Sequence, residues 1–149
     1  TRTKSSKVRN KALAALQTMY DSNPTKLKYV AKVVETNSLQ YTNSTPNDVL
    51  YENMDAYIHG EGSEGSRIRA AQVFLDSSNR SLEELKLAAV LKDAKAYKII
   101  IDKSDGWIYT DKGERLGRTM DDVLQFISSP LNDEVLIYII NKVEHQWSR

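Results

Sequence analysis

Apolar residues recur at helical intervals along most of the chain and switch to a strand pattern in one place. Val8, Ala12, Ala15, Leu16 and Met19 share one side of a helix over about residues 6–20. Asn23-Pro24 offers a cap followed by a first-turn proline, and Leu27, Val30, Ala31 and Val34 then repeat at i, i+3, i+4, i+7. Residues 36–46 are polar and read as a loop. Thr45-Pro46-Asn47-Asp48 opens a third helix with Leu50, Met54, Tyr57 and Ile58 inward. Beyond a glycine-rich break at 59–65, Ile68, Ala71, Phe74 and Leu75 predict a fourth helix over about 66–76. Ser81-Leu82-Glu83-Glu84 has the form of a capping box and starts a fifth, running to about residue 96.

The period then shortens. Tyr97–Ile101 and Trp107–Thr110 are rich in β-branched and aromatic residues, and Asp105-Gly106 between them is a hairpin-turn signal. Thr119 caps a sixth helix through Met120, Val123, Leu124 and Ile127; Ser129-Pro130 leads into a seventh through Val135, Leu136, Ile139, Ile140, Val143 and Trp147. The predicted fold is α-dominant α+β: six or seven helices with one β-hairpin, about residues 97–110, before the last two helices. A single domain over 1–149 is expected, with a sub-boundary, if there is one, at the 59–65 loop.

Charge adds an asymmetry that the hydrophobic pattern does not carry. Eight bases lie in residues 1–35 against two acids, whereas residues 36–149 hold thirteen bases and eighteen acids. The basic head comprises Arg2, Lys4, Lys7, Arg9, Lys11, Lys26, Lys28 and Lys32. On a helix, Lys4, Lys7 and Lys11 fall on one flank of the apolar stripe and Arg2 and Arg9 on the other. The absence of cysteine removes disulfide frameworks, thiol catalysis and zinc ribbons. With no secretory signal pattern either, an intracellular or virion setting is expected, without a membrane.

Catalytic motifs fail on inspection. Gly60 to Gly65 spells G-x-G-x-x-G, but a helical pattern precedes it where the dinucleotide fingerprint needs a strand, and Glu61 and Glu64 would repel phosphate. An anion at the amides of 66–69, beside Arg67 and Arg69, is the narrower version of that idea. Asp102, Asp105, Asp111 and Glu114 surround the hairpin, yet the calcium-loop register puts Ile101 and Lys112 where carboxylates are required, so no metal site is assigned. No catalytic residue and no cofactor are assigned. A helix, a short turn, a helix and a hairpin over about 48–110 follow the element order of winged-helix domains. The predicted groove helix, however, carries as many acids as bases.

These observations predict a non-enzymatic, nucleic-acid-associated protein whose basic N-terminal helices hold the phosphate backbone. Arg67 and Arg69 are further anion contacts in this reading, and Trp107 and Tyr109, alternating onto one strand face, are candidates for base stacking. Two other classes fit the same residues. One is an assembly or adaptor protein that docks its basic helix on an acidic partner or on another copy; the other is a nuclease or hydrolase using the carboxylates near the hairpin.

Overall fold

The computed structural model describes residues 2–149, with side chains from residue 3 onward. These form seven α-helices, two single-turn 3-10 segments and a three-stranded antiparallel sheet placed before the last two helices, an α-dominant α+β fold. The helices are α1 (Arg2–Ser22), α2 (Pro24–Val34), α3 (Asn47–His59), α4 (Glu64–Ser78), α5 (Leu82–Ala96), α6 (Met120–Ser128) and α7 (Asp133–Trp147). The strands are β1 (Ile100–Asp102), β2 (Ile108–Thr110) and β3 (Arg115–Gly117). The chain divides into two compact units between Ala89 and Val90, a point inside α5; the 59–65 segment belongs to the first unit. Residues 48–110, the stretch with winged-helix element order, therefore span both units.

In the first unit α1 packs chiefly on α4 and also on α3 and α2. Ala12, Leu16 and Met19 are buried, meeting a core that includes Leu27, Val30, Ala31, Leu50, Met54, Ile58, Ala71 and Phe74. Each fully buried aliphatic side chain there contributes about 1.5–3 kcal/mol of transfer free energy. Asn23 caps α2 by accepting from the Lys26 amide at 3.2 Å, with Pro24 at the first position. Gly60 ends α3 at φ +66, a left-handed conformation that glycine adopts without penalty.

The helix α4 starts at Glu64, two residues before the position read from the hydrophobic period, because the Ser63 hydroxyl accepts from the Ser66 amide and draws Gly65 into the first turn.

In the second unit β1 and β2 pair in the register Ile100↔Thr110, Ile101↔Tyr109 and Asp102↔Ile108. The sheet has a third strand that the hydrophobic pattern did not announce. β3 pairs Arg115 with Tyr109 and Gly117 with Ile108, with a register shift between them. Ile100, Ile108, Thr110 and Leu116 are buried on one face, in a unit whose other buried residues include Val123, Ile127, Ile139 and Val143. α6 packs on β3 and on α7. It carries a complete capping box: Thr119 Oγ1 accepts from the Asp122 amide, and the Asp122 carboxylate accepts from the Thr119 amide. Trp147 is buried near the chain end and donates its indole N–H to Asp93 Oδ2 at 2.6 Å.

Candidate nucleic-acid interface

The basic residues of the N-terminal region separate into distinct environments. Lys4, Lys7 and Lys11 are exposed along one flank of the stripe by which α1 is docked, where Ala12, Leu16 and Met19 are buried. Their spacing of three and four residues keeps the ammonium groups on one helical stripe of about two turns. Arg9 lies on the other flank, half-buried. It lines a cleft of about 440 Å³ together with Ser5, Ser6, Gly62, Glu64 and Arg67. The side chain of Arg2 lies outside the described residues.

Within that cleft the charge is mixed. Glu64 accepts from the Ser5 hydroxyl at 2.9 Å and lines the cleft together with Arg9 and Arg67. The Ser66 amide is taken by Ser63 Oγ at 3.2 Å and the Arg67 amide by Ser63 O at 3.1 Å. Two of the amides expected to receive an anion are thus already engaged. Arg69 is exposed and does not line the cleft.

On α2 the three lysines behave differently from one another. Lys26 is half-buried, and Lys28 Nζ donates to Asn43 Oδ1 at 3.0 Å and lies 5.4 Å from the Tyr29 ring centre. Lys32 must be removed from the surface set. It is fully buried, and its ammonium donates to Ser38 O at 3.1 Å and Tyr41 O at 2.5 Å, tying the loop after α2 back onto the helix. An ammonium in that position reaches no phosphate.

Trp107 and Tyr109 lie on the face of the sheet opposite the buried one and are only partly covered. Cations cover them. Arg115 and Arg118 place their guanidinium carbons 4.5 and 4.6 Å from the Trp107 ring centre, and Lys103 Nζ lies 4.3 Å from that of Tyr109. The Tyr109 hydroxyl donates a short hydrogen bond to Asp105, whose other oxygen accepts from the Trp107 backbone amide at 2.9 Å. That phenol bond, followed by the Trp107 amide, holds the Asp105 carboxyl below its ordinary range; the same bond raises the Tyr109 phenol.

The other carboxylates around the sheet act one by one. Asp102 pairs with Lys95 at 3.2 Å, Asp111 accepts from the Tyr138 hydroxyl at 2.5 Å, and Glu114 lies 3.5 Å from Thr110 Oγ1. Among the described residues no three His, Asp or Glu side chains gather as a metal would require. No single helix there is long and apolar enough to cross a membrane. No protein-family model, curated protein or solved structure matches the chain.

Proposed function

We propose that this chain is a non-enzymatic, nucleic-acid-associated protein that grips the phosphate backbone through the lysine stripe of α1. The observation that carries the reading is the exposed row Lys4, Lys7 and Lys11, flanking the buried stripe by which α1 is anchored. A docked helix presents its charges at fixed spacing, so less ordering is needed on binding than for a free basic tail. Each phosphate neutralised releases a condensed counterion and adds about 0.9 to the slope of log affinity against log salt on duplex DNA.

The test is fluorescence anisotropy of a labelled duplex against salt, for the wild type and for the K4Q/K7Q/K11Q variant. The triple variant is expected to lose about 2.7 from the slope, and so to gain about forty-fold less affinity than the wild type on dilution from about 200 to about 50 mM salt. An unchanged slope overturns the reading.

A second reading, assembly through an acidic protein neighbour, draws support from apolar surface in the second unit, where Leu131 is 94% and Ile137 55% exposed. Light scattering without nucleic acid separates the two. A defined oligomer that dissolves in the K4Q/K7Q/K11Q variant supports assembly, and an unchanged monomer supports the first.

A further inference from the structure

We infer that the open face of the β1–β2–β3 sheet is a stacking platform for unpaired nucleobases, so that single-stranded nucleic acid is the preferred ligand. The inference rests on the proposed ligand class but uses residues of the second unit alone.

Register builds the platform. Alternation along β2 sends Ile108 and Thr110 inward and leaves Trp107 and Tyr109 outward. Cross-strand pairing then sets Ile101 and Arg115 on either side of Tyr109. Lys103 stands opposite Trp107, its amide donating to Trp107 O at 3.0 Å. The shift in β3 register next to Ile108 lets Arg118, just past the strand, reach the same indole as Arg115. Two aromatic rings and three cations thus share one sheet face.

The rings are held in place before any ligand arrives. One carboxylate, Asp105, accepts from the Tyr109 hydroxyl and the Trp107 amide, fixing the phenol and the backbone that carries the indole. Both oxygens of this one acid beside the rings are engaged, while Lys103, Arg115 and Arg118 bring three positive charges.

This chemistry selects among ligands. A sugar platform also uses aromatic faces but needs acceptors for hydroxyl groups; the three cations are donors only, and the two Asp105 oxygens already accept from Trp107 and Tyr109. An acidic peptide would use the cations and leave the rings idle. A duplex keeps its base faces stacked on one another and offers none to a flat sheet. An unpaired strand supplies both halves, with base planes for Trp107 and Tyr109 and phosphates for the cations. In the free protein the guanidinium groups rest over the indole; a stacking base takes that place and the guanidinium groups turn to the flanking phosphates.

The two tryptophans make a direct test. Trp107 lies on the platform, whereas Trp147 is 2% exposed and bonded to Asp93, so it supplies a steady background. Emission is followed while a short oligothymidylate, the same strand paired with its complement, or polyglutamate is added. Quenching by the single strand is expected, with at least tenfold weaker response to the other two. In anisotropy, Trp107→Ala and Tyr109→Ala each lower single-strand affinity about tenfold. Arg115→Gln with Arg118→Gln keeps the rings and cuts the salt slope by about 1.4. Unchanged Trp147 emission certifies the fold of the Trp107→Ala variant. No quenching, or equal quenching by duplex or polyglutamate, overturns the platform. K4Q/K7Q/K11Q separates the two readings: full quenching with lost duplex binding supports both, and full quenching with intact duplex binding keeps the platform and rejects the helix stripe.

Discussion

Replacing Lys32 by Met tests whether a buried ammonium holds the first unit together. Methionine keeps the unbranched stem and removes every donor. Ser38 O retains the Tyr41 amide at 3.2 Å, so the loss concentrates on Tyr41 O, which the ammonium approaches to 2.5 Å. Two charge-assisted hydrogen bonds at about 1.5–3 kcal/mol each are lost, and a buried carbonyl is stripped of its charged partner. Relief of the ammonium's desolvation penalty offsets part of this, leaving a net loss of about 2–3 kcal/mol. For a unit of this size about 4–8 °C accompanies each kcal/mol, so the melting midpoint should fall by about 10–20 °C. Thermal denaturation followed by circular dichroism measures it. Below the new midpoint, duplex affinity and salt slope should equal those of the wild type, since Lys32 contacts no ligand. A Lys32→Met protein as stable as the wild type would refute the clamp, and one that folds normally but binds with a shallower slope would return Lys32 to the surface set.

Three further outcomes follow from local geometry. Lys98 closes α5 in a left-handed conformation, φ 63, with Ile99 N–H on Ala94 O and Lys98 N–H on Lys95 O; Lys98→Gly should stabilise by about 1 kcal/mol in urea denaturation, and a loss of stability would contradict this. A Cβ added at Gly117 would lie 2.5 Å from Asp122 Cβ and 3.2 Å from the backbone of α6, so Gly117→Ala should cost about 1–3 kcal/mol by the same assay. The Tyr138 phenol is pushed up to about 12, chiefly by its hydrogen bond to Asp111. The folded state therefore holds this proton more tightly than the unfolded chain. The stability linked to it is full below pH 10 and is lost as pH rises toward 12; in tyrosinate absorbance, Asp111→Asn should move one phenol back toward its ordinary value.

The helices were legible because their apolar spacing and their caps agree. Asn23 and Thr119 accept from backbone amides as their positions imply, and Ser81 Oγ accepts from the Glu84 amide at 3.1 Å. Lys32 was not legible. Leu27, Tyr29, Val30, Ala31 and Lys32 of α2 are all buried, so the helix hides more than one face, and a wheel built on Leu27, Val30, Ala31 and Val34 leaves Lys32 outside. Burial of so many successive positions is a property of the neighbours α2 packs against. Its own period cannot report it.

The sheet divides in the same way. Trp107 and Tyr109 could be placed on one face from alternation alone, but without their surroundings packing on a helix is the commoner role for such a pair. What suits them to the proposed platform is Arg115 and Arg118 beside the indole, and these arrive with β3. That strand is three residues long, includes a glycine, and has no alternating run to announce it. Its glycine is there for contact: Gly117 sits where a Cβ would strike Asp122 at the start of α6, so a stronger strand former would push the helix off the sheet. The residue that hides β3 from a pattern reading is thus the one that lets α6 close over its end, and the shifted register beside it sets Arg118 over Trp107. Gly117→Ala should therefore weaken single-strand quenching of Trp107 as well as stability. Loss of stability with quenching intact would show that the position of Arg118 does not depend on the β3–α6 contact.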